Sequence, residues 1–343
     1  MKHSLTFSIC MPVYKGSHVL RSTLMSILNQ KNVVFELIIV DDNSPSDLDE
    51  IEETQQIIRS FADKRIRYFK NKKNLGYPQS MDFLLKKTTR DVVFLMGQDD
   101  ILAVGALKKT HDGFFLDKDV GAVTRPYFWF YKDSAKPVRA ISPPCSHKSV
   151  SLSLKDNPER VFPQIIESIG QLSGLAMRRE YINLPMHPSH VFTCHVYPFL
   201  SILKTHNVVY LNDMTVAVRI EESQSRHVSA IYNISPTDQW FELFNTVFPE
   251  GEFERIRTMG KNMIAQNYIG LIQLKNYANS KVLPREILKL IQYRPANIYH
   301  PVFLIICMIT LCTPKILLRR MTDSYKEWVL SKIISSINFY PQN

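Results

Sequence analysis

Two apolar runs in this chain end in the same way, and the repetition limits what the chain can fold into. Phe35 to Val40 leads straight into Asp41-Asp42. Val92 to Met96 leads through Gly97-Gln98 into Asp99-Asp100. The second run carries no charge and is β-branched and aromatic at its start, the pattern of a strand covered on both faces. Open α/β sheets bind ligands outside the carboxyl ends of such strands. Asp and Gly also favour ordinary strand-end turns, so one acidic pair would mean little. Two strands ending alike deliver carboxylates to the functional edge of a sheet, where they suit a hard divalent cation and the phosphate oxygens such a cation attracts.

The rest of the first half fits that sheet. Strands are expected over Leu5 to Met11, Phe35 to Val40, Ile66 to Phe69 and from Val92. Helical spacing fills the gaps, over Ser17 to Gln30, from a cap at Ser46 or Asp47 to about Ala62, and over Gln79 to Lys87. Such alternation implies right-handed crossovers and a mostly parallel sheet flanked by helices, an α/β fold. Beyond Phe115, Val120 to Tyr131 reads as strand and Lys132 to Pro158, rich in Ser and Pro, as a long surface loop. Pro163 to Ile169 and Cys194 to Thr205 read as helices. Leu172 to Met177, Val208 to Leu211 and Met214 to Ile220 read as strands. From Pro236 the composition is helical. The expected domains are 1–230, with a boundary near 120 between two halves, and a helical region 231–343.

The formal net charge of +10 favours anionic partners. No zinc-finger spacing, basic-region heptad or RNA-binding signature is present, so nucleic acid is not expected. The five cysteines (Cys10, Cys145, Cys194, Cys307, Cys312) are scattered, which reads as reduced thiols of a cytosolic protein. The N-terminus reads as a first strand rather than a signal peptide. Between Arg294 and Lys315 there is no charged residue, and Lys315-Ile-Leu-Leu-Arg-Arg-Met follows. The most apolar part, Val302 to Cys312, is short of the roughly 20 residues a span needs. The apolar and basic segment 295–321 fits a helix at an anionic membrane surface, and a buried helical hairpin is the other reading.

At the end of the first strand Pro12 holds a turn, and Tyr14 offers a ring on which a base can stack. Asp41 or Asp42 can accept hydrogen bonds from a base or a ribose, with a capping or turn role as the alternative for Asp42. The loop Lys70 to Gly76 is basic and can meet phosphate oxygens or simply face solvent.

Four pieces, in order, are similar to glycosyltransferase family 2, inverting enzymes with a nucleotide-diphospho-sugar-binding GT-A fold. They are SICMPVYKGSHVLRSTLMSILNQ, FELIIVDDNSPSD, NKKNLGYPQSMDFLL and VVFLMGQDDIL. The resemblance implies a donor site of Pro12, Val13, Tyr14, Asp41, Asp42, Asn74, Gly76, Gln98 and Asp99, and Mg²⁺ or Mn²⁺ held by Asp99. Gly97 stands where the family's metal motif has its first Asp. The resemblance thins after about residue 120. SGLAMRRE, Ser173 to Glu180, resembles the acceptor-side strand. VVYLNDMTVAVRIEESQS resembles the closing stretch, where Val218 and Arg219 hold the first two places of a Tyr-Arg-x-His segment and Glu221 stands for the His, as a possible second metal ligand.

The family's Glu-Asp pair, whose Asp deprotonates the acceptor, maps to Cys194 and His195. A histidine can act as general base, so His195 is the candidate base, with Asp100 or Asp213 as alternatives. The resemblance implies an inverting transfer from a nucleotide-diphosphate sugar to a glycan or polyprenyl-diphosphate-linked acceptor. It would occur in bacterial surface polysaccharide synthesis, O-antigen included, by a cytoplasmic enzyme peripheral at the inner leaflet. The changed base position motivates an alternative, a non-catalytic sugar-nucleotide or glycan-binding subunit of a membrane-associated assembly.

Overall fold

The computed structural model describes residues 4–42, 47–141, 148–221, 224–326 and Phe339; Ser44, Ser46 and Cys145 lie outside them. The chain forms two compact units, Met1–Ile220 with Ser336–Asn343, and Glu221–Ser335.

The first unit opens as a strand–helix alternation: β1 (Phe7–Val13), α1 (Ser17–Leu28), β2 (Phe35–Asp41), α2 (Leu48–Ser60), β3 (Ile66–Lys70), α3 (Tyr77–Lys87) and β4 (Val92–Leu95). It continues with β5 (Ile101–Leu102), α4 (Ala106–Gly113), β6 (Val120–Thr124), β7 (Phe128–Phe130), β8 (Pro137–Ala140), β9 (Val150–Leu152), α5 (Pro158–Ile169), β10 (Ala176–Arg178), α6 (Val196–Leu203), β11 (Asn207–Tyr210) and β12 (Val216–Arg219). Eight strands form one sheet in the order β3-β2-β1-β4-β10-β6-β11-β9, and four form a smaller one, β5-β12-β7-β8.

β1 to β4 are mutually parallel, whereas β10 runs antiparallel between β4 and β6. Sequence order runs outward from β1 through β2 to β3, then returns with β4 on the other flank of β1. The sheet therefore has its switch point between β1 and β4. Pro12 fits this place. The Cys10 carbonyl accepts from Met96 N at 3.0 Å, so position 12 faces the same edge, beyond the last pair of β1 with β4, Cys10 and Leu95. The N–H that Pro12 lacks leaves no ladder bond unmade. Phe7, Ile9, Val92, Phe94 and their neighbours are fully buried, so both faces of this central pair are covered.

The second half departs from the expected pattern in three places. Val120 to Tyr131 is two strands, because Arg125-Pro126 interrupts it and β7 leaves for the small sheet. Lys132 to Pro158 is not one loop: it holds β8 and β9, each an edge strand, where a leading Pro137 is tolerated. α5 begins at Pro158, capped by Asn157 Oδ1 accepting from Arg160 N at 3.1 Å, and Pro163 lies inside it.

The second unit is helical: α7 (Gln224–His227), α8 (Pro236–Val247), α9 (Glu254–Ala265), α10 (Gly270–Tyr277), α11 (Val282–Tyr293), α12 (Pro301–Cys312) and α13 (Lys315–Tyr325). Buried polar groups fix its register. Glu286 on α11 accepts from Ser235 Oγ and Thr237 N at the start of α8. Asn297 donates to the Ala265 and Leu290 carbonyls and accepts from Tyr268 OH. Among the described residues no helix is long and apolar enough to cross a membrane.

Candidate functional site

The site forms where the strand ends of β1, β2 and β4 open at the switch point. Past β4 the chain makes a four-residue turn, Gly97 to Asp100, and enters β5 of the small sheet. The acidic pair thus sits at the joint of the two sheets. β12 runs antiparallel to β5 with Ala217 opposite Ile101, which brings Arg219 beside Asp99. Arg219 Nε donates to the Asp99 carbonyl at 3.1 Å, and its guanidinium lies over the Phe130 ring at 4.6 Å.

The two neighbouring carboxylates face different surroundings. Asp99 is partly exposed. Asp100 is buried, and its Oδ2 accepts from Ser173 Oγ at 2.5 Å and Gln171 Nε2 at 2.9 Å, while Oδ1 accepts from Arg219 N at 2.9 Å. Burial pushes the Asp100 carboxyl above the usual range, against these hydrogen bonds. Ser173 also accepts from Gly97 N at 2.7 Å. This explains the glycine at 97: a Cβ there would stand 2.9 Å from Asp100 Oδ2 and 3.2 Å from Asp99 Oδ1. The inward turn of Asp100 and a side chain at 97 are incompatible.

Gln98 reaches across to β1. Its Oε1 accepts from Tyr14 N at 2.7 Å, and its Nε2 donates to Tyr14 O at 2.9 Å. The Tyr14 ring is partly exposed, with Lys15 Nζ 5.6 Å from its centroid. Asp41 is buried and accepts from Tyr68 OH at 2.5 Å. Asp42 is turned to the loop after β3. Its Oδ1 accepts from Asn71 Nδ2 and Leu75 N, its Oδ2 from Gly76 N, and its carbonyl from Asn74 Nδ2, all at 2.7–2.9 Å. One carboxylate therefore organises the loop that carries Asn74 and Gly76, and Lys72 and Lys73 are left exposed on it.

His195 stands at the N-cap of α6 and is buried. Nε2 faces the Ile169 carbonyl at 3.3 Å, which can only accept, so the proton belongs on Nε2. Nδ1 then accepts from Tyr77 OH at 3.2 Å. Burial pulls the imidazole down to about 4, against the Ile169 hydrogen bond. Asp213 is exposed and pairs with Lys109 Nζ at 2.9 Å. Glu221 is the first residue of the second unit, and its carbonyl accepts from His227 Nε2.

The structure thus gathers Tyr14, Gln98, Asp99 and Arg219 at one edge, with Asp41 and Asp42 on the neighbouring strand. Sequence reading missed Tyr68, Asn71, Tyr77 and Gln171, all of which act through a hydrogen bond to a residue far away in the chain. Asn71 follows β3 and Tyr77 opens α3, whereas Tyr68 lies within β3 and Gln171 follows α5, so no shared local signal marks them. A divalent cation fits the donor set. Mg²⁺ typically takes one or two carboxylates and completes its shell with substrate phosphate and water, and Asp99 offers a partly exposed carboxylate at this edge.

The family model described as glycosyl transferase family 2 matches residues 8–181. The poly(ribitol-phosphate) beta-N-acetylglucosaminyltransferase TarP of Staphylococcus aureus is 32% identical over 110 residues, 31% of this chain and 32% of TarP. An uncharacterized glycosyltransferase of Haemophilus influenzae is 34% identical over 104 residues, 30% of this chain and 39% of its own length. The chain therefore spans about a third of these relatives. Among solved structures, S. aureus TarS 1-349 in complex with UDP-GlcNAc superposes with a TM-score of 0.61 at 15% identity, covering 96% of this chain and 91% of that one. The mannosyltransferase PcManGT of Pyrobaculum calidifontis, in complex with GDP-Man and Mn2+, superposes with a TM-score of 0.52 at 12% identity, covering 91% and 88%. The architecture is the GT-A fold, and with half of its length matched by the family model the chain belongs to glycosyl transferase family 2.

Proposed function

We propose that this chain is an inverting glycosyltransferase. It moves a sugar from a nucleotide-diphosphate donor to a glycan or polyprenyl-diphosphate-linked acceptor in surface polysaccharide synthesis, and works in the cytoplasm, peripheral at the inner face of the membrane. The observation that carries the reading is the convergence of Tyr14, Gln98 and Asp99 at the switch point. The Tyr14 ring stacks on the base, and Asp41, on the adjacent strand, accepts from the base or ribose. Asp42 shapes the loop that passes under the donor. Asp99 would hold Mg²⁺ or Mn²⁺, which when bound offsets charge on the departing diphosphate. Arg219, fixed beside Asp99, adds a permanent positive charge near the same oxygens. Asp100 positions rather than transfers protons, because its two oxygens hold Ser173, Gln171 and Arg219.

The proposed base is His195. A group lowered to about 4 has the proton affinity of an ordinary carboxylate. The histidine therefore keeps the basicity of the aspartate it replaces while losing its charge. Movement of Tyr77 OH exposes Nδ1 to an acceptor hydroxyl. TarS and PcManGT were solved with UDP-GlcNAc and GDP-Man, so UDP- and GDP-sugars are the first donors to offer. A donor screen read by mass spectrometry, with membrane lipid extract as acceptor, tests the proposal. Transfer that Asp99→Asn abolishes supports it. His195→Ala should lose turnover and keep donor binding, and unchanged turnover would remove His195 from the mechanism.

A second reading has an observation of its own. Both ring nitrogens of His195 are engaged and the ring is buried, as expected of a structural histidine in a non-catalytic sugar-nucleotide-binding subunit. Donor binding with no turnover of any donor would select it.

A further inference from the structure

The helix α12 inverts the usual distribution of side chains. Its sequence, PVFLIICMITLC, carries no charge. A helix apolar on all sides belongs in a core or a membrane. Here the polar Thr310 is fully buried and bonds its own helix at the Ile306 carbonyl. The apolar Leu304, Ile305, Met308 and Leu311 face outward, about half exposed, with Met308 at 59%. Only Phe303 and the Thr310 flank turn inward, Phe303 onto the Tyr268 ring at 5.1 Å. α13 continues the surface: Leu318 is buried while Ile316 (71%) and Leu317 are exposed.

Charge around this surface is mainly positive. No Asp or Glu occurs from Ile287 to Thr322, a stretch that contains Lys289, Arg294, Lys315, Arg319 and Arg320. Arg294 is engaged by Asn297, and Arg319 has Asp323 at 3.9 Å. Lys315 and Arg320 are exposed. Tyr299, 81% exposed, stands two residues before α12, an aromatic where an interface favours one.

We infer that α12 and α13 form a membrane-surface device. α12 lies along an anionic leaflet with Leu304, Ile305, Met308 and Leu311 among the acyl chains, and Lys315 and Arg320 of α13 contact headgroup phosphates. Twelve residues of helix reach about 18 Å, short of the roughly 30 Å hydrocarbon core, so α12 lies in one leaflet and does not span. A second copy of the chain is the poorer occupant, since its own basic flank would be brought against this one. The inference rests on the membrane placement proposed above and is independent of the chemistry at Asp99 and His195.

The test uses the full chain with vesicles of phosphatidylcholine alone or mixed with phosphatidylglycerol. A polarity-sensitive fluorophore on Cys312, in a Cys145→Ser, Cys307→Ser background, reports insertion. Binding to the mixed vesicles with a blue shift is expected. Met308→Ser and Ile305→Ser should each weaken it by about tenfold. Lys315→Glu with Arg320→Glu should remove the preference for anionic lipid. No binding to either vesicle, binding indifferent to all these changes, or a lipid-free blue shift with self-association in sedimentation would overturn the inference. Donor hydrolysis, measured on the same samples without vesicles, should not change in these variants. Vesicle binding without donor turnover would leave the membrane device standing and remove the transferase reading.

Discussion

Gln98 holds Tyr14 at both ends of its amide, accepting from the Tyr14 N–H at 2.7 Å and donating to the Tyr14 carbonyl at 2.9 Å. The pair ties the end of β4 to the end of β1 across the gap that the switch in strand order leaves open. It sets the ring proposed to stack on the base at a fixed place relative to the carboxylate proposed to hold the cation.

Breaking the tie should weaken donor binding before it affects anything else. Gln98→Ala removes two hydrogen bonds worth about 1 kcal/mol each, so donor affinity should fall by about tenfold or more in a calorimetric titration. Gly16 is part of the same arrangement: a Cβ there would stand 2.4 Å from the Gln98 amide. Gly16→Ala should displace that amide and lose affinity to a similar extent. The double variant should be no worse than Gln98→Ala, because the clashing group is gone. Losses that simply add would mean the two positions act separately.

Asp42 should prove to be a loop anchor. Its carboxylate accepts from Leu75 N, Gly76 N and Asn71 Nδ2. An amide offers one acceptor oxygen in place of two. Asp42→Asn should therefore cost about 1–3 kcal/mol and speed amide hydrogen exchange at Leu75 and Gly76 specifically. Unaltered exchange at those two residues would argue against the anchor.

The strands that order the sheet were legible because their signal is local: Val92 to Leu95 is apolar, lies between turn residues and is fully buried as that pattern implies. The acidic strand ends were legible for the same reason. The different surroundings of Asp99 and Asp100 were not, because they depend on Ser173 and Gln171, more than seventy residues away. β8 and β9 were hidden by composition, since edge strands tolerate the Pro and Ser that signal loops elsewhere. His195 could be located only through the family resemblance, as the counterpart of the Asp in its Glu-Asp pair. Its engagement by Tyr77 and Ile169 depends on packing that no local pattern encodes.

Position 97 should resist the Asp that the family resemblance would place there. Gly97→Asp introduces a Cβ 2.9 Å from Asp100 Oδ2 and sets a second carboxylate against a buried one. Rather than gaining metal affinity, the variant should lose about 2–4 kcal/mol in urea unfolding, from overpacking and like-charge repulsion. Ser173→Ala tests the same network from the other side. It leaves Gly97 N without its acceptor and Asp100 Oδ2 with Gln171 alone, at a cost of about 1–3 kcal/mol. Tighter binding of Mn²⁺ to Gly97→Asp at unchanged stability would show that Asp100 can turn outward.

His195 should give the stability of the protein a distinctive pH dependence. Burial holds its folded-state value at about 4, against about 6.5 in the unfolded chain. Between those values the unfolded chain binds the proton and the folded one does not, so stability falls as pH falls. The contribution is nearly complete above pH 7 and is lost progressively toward pH 4. Between pH 7 and pH 5 the loss attributable to this residue is about 2 kcal/mol. Lowered carboxylates such as Glu36, held at about 2 by Ser8, Arg67 and Thr89 against burial, lose their contribution only below about pH 5, so they add little to the change between pH 7 and pH 5. His195→Gln keeps a donor and an acceptor but cannot titrate. Its urea midpoint should therefore change less between pH 7 and pH 5 than that of the unmodified chain. The same slope in both proteins would mean that the imidazole can be protonated in place, with Tyr77 rotating to accept from Nδ1. A ring that adapts in this way could also turn Nδ1 toward a sugar hydroxyl, so the slope bears on whether His195 serves as base or only as part of the core.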